Sequence, residues 1–347
     1  MIKKLILITC LAAFTLSSCG KAPIEVPKTA DNMTVEEKVA QMLMVRCDDS
    51  NKAHILSLKP GGIVMFGVDF DGLDRNMVIS KTDGYKSALD IEPFIAVDEE
   101  GGTVVRVSSN PKLAPEKYQS PRYYYDMGGL DAVLSKELEK SELLASLGIT
   151  MNLAPVADIS TDPNYFMYDR SLGRDAATTA EYISAVVKTM HEHGIKSCLK
   201  HFPGYGGNLD THTGIATDDR AVSQFYDNDF LPFKAGIDAG TDAVLVAHNI
   251  ITDVDPSQPA SISPAVHDIL RTELGFGGII MTDDMSMGAM AEYKEPYKKA
   301  VLAGNDMIIV SDPDTAYNEI LNAVQSGEIP MDLIDAAVSR ILAAKNI

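Results

Sequence analysis

Residues 278–283 read GIIMTD: a glycine, three large apolar residues, a threonine and an acid. A half-exposed strand alternates apolar and polar residues. This run is apolar on both faces until its last residue, the pattern of a parallel strand covered on both sides. It ends on Asp283, followed by Asp284. A carboxylate that follows an apolar barrel strand would sit at the barrel floor with limited water access, suited to attack or to charge stabilisation. Seven further runs rich in Val, Ile, Met and Leu occupy 43–47, 62–66, 94–98, 150–158, 197–201, 243–248 and 306–311. Helical patterns at 130–147, 178–193 and 223–239 separate several of them, and Thr34-Val35-Glu36-Glu37 opens the first helix as a capping box. Eight strand–helix units predict one α/β domain over 34–347, a single (β/α)8 TIM-type barrel rather than two doubly wound halves.

The polar residues fall where such a barrel would use them. Five runs end in a titratable residue: Asp98, Asp158, Lys200-His201, His248 and Asp283. The C-terminal strand ends of a barrel share one mouth, where catalysis sits. One such residue is readily a helix cap or a satisfied buried group; five on one rim point to a site. Between Asp283 and Asp284 the register leaves the choice open.

Residues 200–213, KHFPGYGGNLDTHT, add a loop. Asp210 lies two residues before His212 on a glycine-rich stretch, the makings of a proton donor whose ring is held and whose cation is stabilised by a carboxylate. A proton donor with a separate carboxylate, Asp283, is what cleavage of a glycosidic bond requires. A protease triad would need a Ser or Cys nucleophile beside the histidine, and no G-x-S-x-G elbow occurs. His191-Glu192-His193 ends a helix before Gly194 without an acidic or Cys partner at ligand spacing, so no metal is expected. Gly204, Gly206 and Gly207 lack dinucleotide-binding spacing, so no cofactor is expected. Asp98, Arg106 and Arg170 offer hydrogen-bonding forks for sugar hydroxyls. The chain has no Trp, so stacking falls to Tyr or Phe, which favours a pocket for one terminal sugar over a long groove.

The formal charge of −19 argues against a nucleic-acid partner. Lys3 and Lys4, the apolar run to Phe14, and Leu16-Ser17-Ser18-Cys19 read as a signal peptide over 1–18 with lipidation of Cys19. Residues 19–33 then read as a tether. The expectation is an exported bacterial lipoprotein, probing the periplasm or exterior from a membrane it touches only through that anchor, and monomeric. Cys47 and Cys198 sit in apolar runs and read as buried thiols.

The stretches TVEEKVAQMLMV, IAVDEEGGTVVRV, NLAPVADI, DRSLG, KHFPGYGGNLDTH, PASISP and GFGGIIMTDDMSMGAM together resemble glycoside hydrolase family 3, in its single-domain bacterial β-N-acetylglucosaminidase (β-hexosaminidase) branch. The resemblance implies an exo-acting, retaining enzyme that removes terminal β-linked N-acetylglucosamine from peptidoglycan or chitin-type fragments. By it Asp283 is the nucleophile, His212 the acid/base and Asp210 its orienting partner. Asp98, Arg106, Arg170, Lys200 and His201 bind the terminal sugar. Two departures stand out: Tyr205 replaces the family's usual histidine, and the loop from His201 to His212 is one residue short. A β-glucosidase or a phosphorylase of the same fold, and a sugar-binding lipoprotein without catalysis, are the competing readings.

Overall fold

The computed structural model describes residues 29–208 and 214–347; Cys19, Asp210 and His212 lie outside them. Eight strands form the expected barrel. They are β1 (Leu43–Arg46), β2 (Gly62–Met65), β3 (Phe94–Val97), β4 (Met151–Asn152), β5 (Lys196–Phe202), β6 (Ala243–Val246), β7 (Ile279–Thr282) and β8 (Ile308–Val310). Each pairs in parallel with its sequence neighbour up to β7. On the far side β8 pairs with β1, Leu43 against Ile308. A parallel bridge between Met281 and Met307 joins β7 to the entry of β8 and closes the ring. The strands are buried almost throughout, which is why their sequences do not alternate.

The fourth run departs from expectation. Only Met151–Asn152 forms a regular strand, because Pro155 has no N–H to offer a ladder. The chain still follows β5: Cys198 N donates to Ala154 O at 2.9 Å and Lys200 N to Pro155 O at 3.3 Å. The helix expected at 130–147 starts earlier, at Pro121, with Ser120 Oγ accepting from Tyr123 N. Gly128 and Gly129 break its regularity; Gly129 sits at φ 66°, ψ −156°, where only glycine is comfortable. The tether expected to run to residue 33 meets the domain sooner, since Ala30 and Met33 are buried against the core.

Among the described residues, the side chains that cap helices are not those of the rim group. Thr34 and Glu37 complete the capping box at 3.2 and 2.9 Å. Asp74, Asp175 and Asp312 cap three later helices. The titratable residues at the strand ends are therefore not spent on capping. Cys47 and Cys198 are both buried free thiols, and burial pushes the Cys198 thiol above its ordinary range.

Candidate active site

Asp98, Arg106, Arg170, Lys200, His201 and Asp283 meet around one cavity of about 190 Å³ at the C-terminal mouth of the barrel. Val64, Phe66, Leu153, Leu245 and Ile309 supply apolar walls, and Asp284 also reaches it. Lys200 and His201 are consecutive, and an ordinary strand would point them to opposite faces. A bulge prevents that: Lys200 pairs with Leu245 and Phe202 with Val246, leaving His201 as the extra residue. Both side chains can then line the cavity.

A buried carboxylate organises the cations. Glu100, its side chain 1 % exposed, takes a two-pronged contact from Arg170, Nη2 to Oε1 at 2.7 Å and Nε to Oε2 at 2.9 Å. Lys200 Nζ lies 2.7 Å from the same Oε1 and 2.6 Å from Asp98 Oδ1. Burial alone would push the Glu100 carboxyl up, but Lys200 and Arg170 outweigh it and hold it far below the ordinary range. Burial likewise opposes the charge on Lys200, and Asp98 with Glu100 overcomes it, raising that pKa. Paired in this way, both cations stay charged and fixed in direction.

Arg170 also fixes an imidazole. Its Nη2 lies 3.1 Å from His201 Nε2. A guanidinium can only donate, so Nε2 accepts and the ring proton sits on Nδ1, directed at Asp158 Oδ2 2.7 Å away. Asp158 further accepts from the backbone N–H groups of His201 (3.0 Å) and Tyr205 (2.8 Å). It thus pins the ring and the start of the glycine-rich loop together. Glu99 does a parallel task one strand away. Its carboxylate accepts from Arg106 N and Val107 N at 2.7 Å and from Ser108 N at 3.1 Å. That holds the turn that presents Arg106, whose buried Nε has no hydrogen-bond partner among the described residues.

The geometry separates the two adjacent acids. Asp284 is occupied: it accepts from Ser286 N at 2.9 Å and from Ser311 Oγ at 3.2 Å. Among the described residues Asp283 accepts one bond, from Asp284 N at 2.8 Å, and it faces the cavity. Burial would raise its pKa, but the Asp284 N–H and the Lys200 ammonium favour the charged form, and it lies below the ordinary carboxylate range. His248 stands behind this pair. Its Nε2 is 3.1 Å from the Asp284 carbonyl, which can only accept, and its Nδ1 is 2.7 Å from Ser261 Oγ. The ring therefore braces the segment rather than entering the cavity.

Tyr205 is 1 % exposed. It packs edge-on to His201 at 5.2 Å and against Phe166 at 5.7 Å. The stem of the following loop is tied down on both sides: Asn208 Nδ2 donates to Asp218 Oδ2 at 2.8 Å, and Arg220 bridges Asp218 and Asp229, each at 2.8 Å. The H-x-H pair stays apart, His191 on Asp242 (2.6 Å) and His193 on the Thr189 carbonyl (2.8 Å). Glu100, Asp158 and Glu99 are the site residues that sequence reasoning underrated. Their only sequence signal was acids at or just beyond apolar strand ends.

Residues 34–344 match the glycosyl hydrolase family 3 N-terminal domain. A β-hexosaminidase of Stenotrophomonas maltophilia is 35% identical over 272 residues, 76% of this chain and 79% of that protein. The structure of a glycoside hydrolase family 3 β-N-acetylglucosaminidase from Paenibacillus superposes with a TM-score of 0.85 at 29% identity. It covers 90% of this chain, which spans only 62% of that longer one. A β-N-acetylhexosaminidase from Beutenbergia cavernae superposes at 0.82 with 25% identity, over 91% of this chain and 99% of its own. Sequence and fold together place this chain in glycosyl hydrolase family 3.

Proposed function

We propose that the protein is an exo-acting β-N-acetylhexosaminidase that removes terminal β-linked N-acetylglucosamine with retention of configuration. The observation that carries this reading is Asp283, a carboxylate kept ionised at a strand end, facing a small cavity ringed by Asp98, Arg106, Arg170, Lys200 and His201. In this mechanism Asp283 attacks the anomeric carbon while His212, oriented by Asp210, protonates the leaving oxygen. His212 then takes a proton from water as that water displaces Asp283, releasing the free sugar. Asp98 accepts hydrogen bonds from sugar hydroxyls, while Arg106, Arg170 and Lys200 donate them. Arg170 on one nitrogen and Asp158 on the other hold the His201 ring in one orientation at the cavity wall. The similarity to proteins named β-hexosaminidase supports the 2-acetamido preference.

The test is an aryl N-acetyl-β-glucosaminide beside the matching glucoside, with and without inorganic phosphate. The expected result is free N-acetylglucosamine, with the glucoside cleaved at least about tenfold more slowly, since a site built for a polar substituent rejects its absence. A sugar 1-phosphate would assign a phosphorylase, and binding without turnover a sugar-binding protein. His212→Ala is expected to lower kcat/KM about 10²–10⁴-fold for a poor leaving group. The loss should shrink toward unity for dinitrophenolate, which leaves without a proton; equal loss on both would contradict the acid role.

We also propose that the chain is exported and anchored by a lipid on Cys19, with residues 1–18 removed. Labelling with a palmitate analogue should be abolished by Cys19→Ser.

A further inference from the structure

Arg170 lines the cavity, yet the segment that carries it, between β4 and the helix at Ala176–Glu192, runs through turns without helix or strand. A residue from another element closes on it from both sides. Arg122, in the first turn of the helix that begins at Pro121, lays its guanidinium on the Tyr168 ring, Cζ 3.3 Å from the ring centroid. Its Nη2 donates to the Ser160 carbonyl at 3.1 Å and to Ser171 Oγ at 3.3 Å. Ser171 Oγ in turn donates to the Ser160 carbonyl at 3.1 Å. Both ends of the segment therefore meet at one guanidinium. Beyond them Gly173, at φ 71°, passes so close that a Cβ there would overlap Arg122. Arg170 stands between Tyr168 and Ser171, and Arg122 holds both.

The arrangement is a poor one for stability alone. Arg122 Nε and Nη1 are buried with no hydrogen-bond partner among the described residues, and the two acceptors of Nη2 are neutral. A buried guanidinium short of partners is costly, and such local costs are expected where a site is being served. What the guanidinium supplies is a rigid plane that can stack on a ring and donate from its edge, which an ammonium cannot do. We infer that Arg122 is a positioning residue for the sugar site, acting through Arg170 by clamping the chain on either side of it. The inference rests on the glycosidase reading above and deepens it.

The experiment is a double-mutant cycle read in kcat/KM for an aryl N-acetyl-β-glucosaminide, at a temperature where circular dichroism shows every variant folded. Arg122→Ala should lower kcat/KM about tenfold, chiefly through KM, because the contact it aims serves ground and transition states alike. In an Arg170→Met background nothing is left to aim, and the same change should cost less than about twofold. A residue that only supports the fold would cost the same in both backgrounds, and that result would overturn the inference. So would an unaltered kcat/KM in Arg122→Ala. Arg122→Lys keeps the charge without the plane and should stay impaired; full activity there would overturn the stacked clamp. If Arg122→Ala does not fold, Tyr168→Ala takes its place in the cycle with the same expectations, and Tyr168→Phe, which keeps the ring face, should lie within about twofold of wild type. Wild-type protein that releases no sugar would refute the glycosidase reading, and this inference with it. Active wild-type protein with equal losses in the two backgrounds would refute the positioning role alone.

Discussion

Asp283→Asn is expected to cut kcat for an aryl N-acetyl-β-glucosaminide by about 10⁴-fold or more while leaving Tm within a few degrees of wild type. An amide cannot form the covalent intermediate, and losing a nucleophile that acts as a unit with its acid/base partner has effects of this size. The fold should tolerate the change, because the amide oxygen can still accept from Asp284 N, the one hydrogen bond this side chain makes among the described residues. The companion variant Asp284→Asn discriminates the two acids. Asp284 serves Ser286 N and Ser311 Oγ, and an amide oxygen preserves part of that. Its cost in kcat should stay below about tenfold. Should Asp284→Asn abolish turnover and Asp283→Asn not, the assignment would be reversed.

Glu100→Gln is the second large effect, and it acts on both stability and binding. The carboxylate sits between Arg170 and Lys200 with a 1 % exposed side chain. Removing one partner of a buried ion pair leaves charge uncompensated, at about 3–5 kcal/mol. Lys200 keeps Asp98 at 2.6 Å, which puts the expectation at the lower end. A drop of about 3 kcal/mol corresponds to a Tm lower by roughly 4–5 °C in a domain of this size, at about 2.1 cal/mol/K of unfolding entropy per residue. KM should rise about tenfold with a smaller fall in kcat, since Arg170 and Lys200 are proposed to grip the sugar in ground and transition states alike.

The same pair gives a pH signature. The ordinary glutamate value is 4.5, and Glu100 lies well below it in the folded protein. Near and below pH 4.5 the unfolded chain therefore binds this proton more readily than the folded one. The stabilisation from Glu100 is complete above that pH and fades as pH falls through the range beneath it. The Tm gap between wild type and Glu100→Gln should accordingly narrow between pH 6 and pH 3. A constant gap would show that the carboxylate is not ionised in the folded state.

Much of this was legible in the chain because parallel barrel strands are continuous apolar runs, and a run ending in an acid marks the rim. All eight strands fall within the runs read from sequence or beside them. The exceptions have local causes. Pro155 cuts the ladder of β4 short, and Gly128-Gly129 hides the first turns of the helix that begins at Pro121. The site was legible as a set of residues but not as a network. Glu100 lies 70 residues from Arg170 and 100 from Lys200 in sequence, so only the closed barrel brings the three together. Arg106 reads as a sugar contact from its place after an acid-rich strand end, and the structure adds that it lines the cavity with a buried Nε that has no hydrogen-bond partner among the described residues. Nor could strand parity separate Asp283 from Asp284; the hydrogen bonds of Asp284 do. The roles of Asp210 and His212 still rest on sequence.

The central claim is that Asp283 forms a covalent bond to the sugar. Its most direct test is to trap the protein with a 5-fluoro-N-acetyl-β-glucosaminyl fluoride, digest it and locate the label by mass spectrometry. The account predicts one equivalent of sugar, on Asp283, with none on Asp283→Asn protein. Label on Asp284, or continued turnover of the trapping reagent by the Asp283→Asn protein, would contradict it.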